Sequence, residues 1–110
     1  MSDGETGPEV VERLYQLILS RRGTDPEVSY TARLFAKGRR KIAQKVGEEA
    51  VEAVIAAVDE SRKNLVGESA DLLYHLLVLW ADTGIAPGDV YAELRRREGT
   101  SGVDEKKHRK

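Results

Sequence analysis

Apolar residues recur at three- and four-residue spacing along most of this chain, and the breaks between the stripes predict its helices. Val10, Val11, Leu14, Leu17 and Ile18 form the first stripe. Pro8 suits a first helical turn, and Gly23 after Arg21-Arg22 is a stop signal, so a helix is expected over about 8–22. The loop with Asp25-Pro26 follows, and Ser29 can cap a short helix from Tyr30 to Lys37, broken by Gly38. A third helix starts just after Gly38 and runs to about Val58. Asp59-Glu60-Ser61 makes a turn, Ser61 caps a fourth helix over about 62–83, and Gly84 ends it. Pro87 opens a last helix to about Arg97, with Val90, Tyr91 and Leu94 expected to face inward.

The third and fourth helices break the usual two-faced pattern. With Glu48 at 0° and ~100° per residue, Lys41, Glu52, Lys45 and Glu49 fall at ~20°, ~40°, ~60° and ~100°. Ile42, Val46, Ala50, Val51, Ala53, Val54, Ile55, Ala57 and Val58 fill most of the remaining circle, so this helix is expected to be buried on most sides. A small monomer has trouble burying such a rod, which points to a dimer. The fourth helix repeats the pattern. Asn64, Glu68, Asp71 and His75 share one stripe, extended by Asp82, while Leu65, Leu72, Leu73, Leu76, Leu77 and Trp80 cover much of the rest. Two helices joined by a short turn pack antiparallel, which can bring one acid stripe to face the other.

Composition narrows the class. The chain has 110 residues, 34% charged and 5% aromatic, enough for one domain. The expected fold is all-α, with four to five helices over residues 1–97, the antiparallel pair carrying the acids, and a helical bundle completed in a dimer. Residues 1–7 read as a flexible lead-in and the polar stretch 98–110 as a mobile tail. The formal net charge of −1 argues against bulk attraction to nucleic acid or membranes. With no cysteine, disulfides and thiolate zinc sites are excluded. The acidic, polar N-terminus is unlike a leader peptide, and the apolar run Leu72–Ala81 is too short to span a bilayer. A cytoplasmic protein is expected.

Carboxylates on otherwise apolar helices are costly unless paired or bound to a cation. One Glu-Glu-x-x-Glu run is ordinarily a solvated face with partners a turn away. Two acid clusters, each on an apolar helix and one hairpin apart, are a different matter. Glu48, Glu49 and Glu52 on one helix, with Glu68 and Asp71 on the other, suit Mg²⁺ or Mn²⁺, hard cations commonly shared between carboxylates and substrate phosphates. Zinc is poorly served, since no His or Cys set accompanies the acids. Lys37, Arg39, Arg40, Lys41 and Lys45 precede the acids with no acid among them. Cations sit badly with the dipole at a helix N-terminus, whereas phosphate is welcome there. Together these features suggest a polyphosphate lying along the helix. His75, on the Asp71 face, is either a packing histidine or a contact to substrate.

The segments Ser29-Tyr30-Thr31-Ala32-Arg33-Leu34, Gly38-Arg39-Arg40-Lys41-Ile42 with Lys45-Val46-Gly47-Glu48-Glu49-Ala50, and Glu68-x-Ala70-Asp71-Leu72-Leu73-Tyr74-His75-Leu76 closely resemble the phosphoribosyl-ATP pyrophosphohydrolase family. The acid frame is shared more widely, across the all-α nucleoside triphosphate pyrophosphohydrolases. The resemblance covers about residues 10–97, and Gly99 to Lys106 looks like the family's C-terminal segment. It implies a Mg²⁺-dependent, dimeric enzyme. Such an enzyme cleaves the α–β phosphoanhydride of 1-(5-phosphoribosyl)-ATP, giving 1-(5-phosphoribosyl)-AMP and pyrophosphate, the second step of histidine biosynthesis. Glu49, Glu52, Glu68 and Asp71 then hold the metal, and Glu48 and Glu49 are the catalytic carboxylates, Glu48 as base or added ligand. Arg39, Arg40, Lys41, Lys45 and His75 bind substrate. A house-cleaning enzyme acting on free nucleoside triphosphates and a non-enzymatic helical adaptor with a salt-bridged acid seam are the alternatives.

Overall fold

A computed structural model describes residues 6–59 and 61–99. These form five helices and, among the described residues, no strand: α1 (Glu9–Arg21), α2 (Tyr30–Lys37), α3 (Arg39–Asp59), α4 (Arg62–Thr83) and α5 (Pro87–Arg96). Apart from residues 6, 7, 98 and 99, the expected lead-in and tail lie outside the described residues.

The ends fall where local chemistry puts them. The Ser29 hydroxyl accepts from the Ala32 amide at 3.1 Å, and Ser61 accepts from Asn64 at 3.2 Å, each satisfying an otherwise orphaned helix N–H. Gly38, at φ 97°, ends α2 and is followed at once by α3; Gly84, at φ 80°, ends α4. Both lie in the left-handed half of backbone space, where a side chain is strained.

The core gathers at one end of the α3–α4 hairpin. Tyr15 and Ile18 of α1, Leu34 of α2, Ile42 of α3, and Leu77, Val78 and Ala81 of α4 are buried together. Three polar contacts lock the periphery. The Tyr15 hydroxyl donates to the Ile85 carbonyl at 2.7 Å, and Asp82 receives Arg22 at 3.3 Å and Arg39 at 2.9 Å. Arg22 also donates to the Ala81 carbonyl and lies 4.7 Å above the Phe35 ring centroid. Cations at the C-terminal turn of α4 complement its dipole. Because Arg39 opens α3 and Asp82 nearly ends α4, their ion pair also shows that the two helices run antiparallel.

Two expectations about burial change. In the single chain α3 is not buried on most sides: Ile42 and Ala56 are its only buried residues, while exposure of the Val51, Val54, Ile55 and Val58 stripe runs from 40% at Ile55 to 75% at Val58. On the helical wheel Ile42 and Ala56 point to ~120° and ~80°, toward α4, whereas the exposed stripe spans ~240° to ~340° on the far side. In α5, Val90 is half-buried but Tyr91 and Leu94 are exposed, because α5 packs mainly beside α1 and anchors through Pro87.

Leu77 is fully buried at the centre of this core. Leu77→Ala is expected to cost about 3 kcal/mol, from lost transfer energy plus a cavity. Chemical denaturation of the variant checks this; a cost below about 1 kcal/mol would mean that the core lies elsewhere.

Candidate active site

The antiparallel hairpin brings three of the five stripe carboxylates together. Oxygens of Glu49 from α3 and of Glu68 and Asp71 from α4 all lie within 4.8 Å of one another. Glu49 and Glu68 are half-buried and Asp71 is exposed. The wheel explains the choice. Glu49, at ~100°, points between Ile42 and Ala56 into the groove against α4, while Glu52 at ~40° and Glu48 at 0° stand on the outer shoulder. Glu52 is accordingly exposed and not in this group.

Glu48 turns back along its own helix. It accepts from Gln44 at 2.7 Å and from Lys45 at 3.2 Å, and these two contacts, Gln44 first, hold its carboxyl below the usual range. Lys45 lies 3.7 Å from Glu49 as well. Its pKa is raised, chiefly by the hydrogen bond to Glu48 and against some desolvation, with Tyr30, Glu48 and Glu49 adding electrostatically. Lys45 is thus the cationic side chain that borders the acid group. Lys41 is half-buried one turn back, and Arg40 is exposed. Arg39 is committed to Asp82, at the other end of α4 from Glu68 and Asp71.

His75 is 6% exposed, with both ring nitrogens engaged. Nδ1 lies 2.7 Å from the Asp71 carbonyl and Nε2 lies 2.9 Å from the Tyr30 hydroxyl. The Tyr30 ring stacks on Tyr74 and meets His75 edge-on, and the Tyr74 hydroxyl hydrogen-bonds Thr31. Burial pushes the Tyr74 phenol up, partly offset by Thr31. The acid stripes of α3 and α4 give Tyr30 and Tyr74 no role, so their place beside the acids was not legible in those stripes. The available signal was the position of Tyr30 and Thr31 directly after the Ser29 cap, which aims the start of α2 at α4.

Three carboxylates from two helices are a donor set for a hard divalent cation, whereas zinc would want nitrogen donors that His75 has already spent. The surface cavity of about 310 Å³ lined by Arg22, Gly23, Thr24, Pro26, Ala32, Phe35 and Ala36 contains no carboxylate and lies apart from this group.

A helical hairpin that gathers carboxylates next to a lysine can handle phosphates together with a metal ion. Comparison with known proteins carries this class to a family. Residues 11–98 match the family profile described as phosphoribosyl-ATP pyrophosphohydrolase. Among curated relatives, the phosphoribosyl-ATP pyrophosphatase of Paramagnetospirillum magneticum is 67% identical over 101 residues, covering 92% of this chain and 93% of its own. That of Rhodospirillum rubrum is 60% identical over 104 residues, covering 94% and 89%. That of Azospirillum brasilense is 56% identical over 110 residues, covering 100% and 99%. The chain belongs to the phosphoribosyl-ATP pyrophosphohydrolase family.

If the acid group binds a cation, millimolar Mg²⁺ raises the melting temperature, and at ten times Kd the gain is about 1.4 kcal/mol. Asp71→Asn is expected to remove most of that rise. A wild-type melting curve unmoved by Mg²⁺ would leave only the salt-bridged seam of an adaptor.

Proposed function

We propose that this chain hydrolyses 1-(5-phosphoribosyl)-ATP to 1-(5-phosphoribosyl)-AMP and pyrophosphate, the second step of histidine biosynthesis, in the cytoplasm. The observation that carries the reading is the meeting of Glu49, Glu68 and Asp71 beside Lys45 in a chain of this family.

Glu49, Glu68 and Asp71 would hold Mg²⁺, or Mn²⁺ in its place, and Glu52 extends the row of carboxylates along the outer edge of α3. The bound ion supplies charge neutralisation on the phosphoryl oxygens and makes water more acidic. The residues of the chain do the rest. Lys45 and Lys41, with Arg40 at the mouth, attract the polyphosphate and offset charge on the departing pyrophosphate. Arg39, tied to Asp82, orients the start of α3, from which those cations project. Water adds to one phosphorus of the α–β anhydride and the bond from that phosphorus to the bridging oxygen breaks: attack at the α-phosphorus sends the bridging oxygen out with pyrophosphate, and attack at the β-phosphorus leaves it on 1-(5-phosphoribosyl)-AMP. A carboxylate takes the proton of the water. Glu48 and Glu49 stand nearest that role. Gln44 and Lys45 keep Glu48 ionised, in the form that accepts a proton, although the same contacts weaken it as a base.

The test is pyrophosphate release from phosphoribosyl-ATP with Mg²⁺. Folded Glu49→Gln and Asp71→Asn variants are each expected to lose roughly 100-fold or more in kcat/KM. Variants that match wild type would sink the assignment, and a wild type faster on free deoxynucleoside triphosphates would transfer the reading to a house-cleaning enzyme.

The active unit is proposed to be a homodimer. The Val51, Val54, Ile55 and Val58 stripe, with Val66 on α4, is an exposed apolar face beyond what a 110-residue monomer needs. A second copy of the chain would cover it in a two-fold arrangement. Light scattering after gel filtration is expected to give twice the chain mass for wild type and the single-chain mass for a Val54→Asp, Val58→Asp double variant. A monomeric wild type would overturn the assembly.

A further inference from the structure

The hydrogen bonds around His75 fix one of its protons. The Asp71 carbonyl can only accept, so Nδ1 carries a hydrogen. Nε2 lies 2.9 Å from the Tyr30 hydroxyl. His75 is buried with no ring nitrogen left for a ligand. Tyr30 is 43% exposed, and its hydroxyl is engaged with His75. What it does offer is ring surface.

That surface is held still. Tyr74 stacks on it with centroids 6.2 Å apart and planes 26° apart, and His75 meets it edge-on at 5.8 Å. Tyr74 is itself pinned by Thr31, so the aromatic group has little rotamer freedom left to lose on binding. Its position is equally specific. Through His75 it connects to the backbone of Asp71, a member of the acid group that Lys45 borders. A planar ring fixed beside the helix that carries Glu68 and Asp71 is placed for the other half of a nucleotide.

We propose that Tyr30 is the nucleobase platform of this enzyme: the purine of the substrate stacks on its exposed ring while the phosphates lie toward Lys45 and the acid group. The inference rests on the pyrophosphohydrolase reading above. His75 is a positioning residue in this arrangement, fixing the tilt of the ring through the contact with its hydroxyl. Stacking needs the ring and not the hydroxyl, so Tyr30→Phe and Tyr30→Leu must part company.

Calorimetric binding of AMP and of pyrophosphate, each with Mg²⁺, separates base from phosphate recognition. Tyr30→Leu is expected to weaken AMP about tenfold and to leave pyrophosphate within about twofold, with Tyr30→Phe within about threefold of wild type for both. In turnover, Tyr30→Leu raises KM for phosphoribosyl-ATP by about the same tenfold and changes kcat much less. Equal loss of AMP and pyrophosphate would indicate a structural role and overturn the proposal, as would Tyr30→Phe failing as badly as Tyr30→Leu. Unaltered AMP binding in Tyr30→Leu would hand the exposed ring to protein contacts instead. Tyr30→Trp gives a reading that does not need the leucine variant to fold: AMP quenches its added fluorescence and pyrophosphate does not, and absence of quenching overturns the stack. If wild type releases no pyrophosphate from phosphoribosyl-ATP, the underlying functional reading fails, whereas normal wild-type turnover with any of the overturning results removes the platform alone.

Discussion

The antiparallel register of α3 against α4 decides which carboxylates meet, and most else follows from it. A slip of one residue would rotate the α3 side chains by ~100° relative to the groove and swing Glu49 out of it. Ile42, Leu77 and Val78 set the register by burial, and Asp82 sets it again by holding Arg22 from the end of α1 and Arg39 from the start of α3. These anchors all lie at the end of the hairpin away from the Ser61 cap. The acid group lies about two turns further along α3 from Ile42, with Ala56 buried beyond it.

Helix ends were legible in the sequence because each depends on one residue with one physical job. Ser29 and Ser61 accept from orphaned amides, and Gly38 and Gly84 take positive φ, so four boundaries could be placed from four side chains or their absence. Burial was less legible. The α3 wheel carries two apolar arcs, one around Ile42 and Ala56 and one around Val51 and Val58, and a sequence does not say which arc faces its own chain. The same ambiguity hid the split among the acids. Once Ile42 and Ala56 are known to face α4, Glu49 must go with them, and Glu48 and Glu52 must stay on the shoulder. Tyr91 and Leu94 failed for a simpler reason: α5 is short and packs mainly against α1, so helical spacing overstated how much of it could be covered.

His75 shows why a residue on the right face need not be the one that touches a ligand. Its wheel position beside Asp71 was read correctly, yet its ring nitrogens are consumed by a backbone carbonyl and a tyrosine. The group that reaches solvent is one bond further out, on a helix that the acid stripes do not include. Sequence stripes are drawn on single helices, whereas this site is closed by a third element whose approach is set by the Gly38 joint.

The division of α3 into opposite faces then ties assembly to chemistry. Small residues, Ala53 and Ala56 among them, lie toward α4, allowing the backbones close enough for carboxylates from both helices to share one point. Ile42 and Glu49 share that side, and Val51, Val54, Ile55 and Val58 fall on the far side. The rotation of α3 that turns Glu49 toward α4 is therefore the same one that leaves an apolar stripe outside. A second copy on that stripe would brace the acid-bearing turns of α3 from behind, where the single chain supplies no core, and so would stiffen the helix that carries Glu49 and Lys45 without contributing a side chain to them.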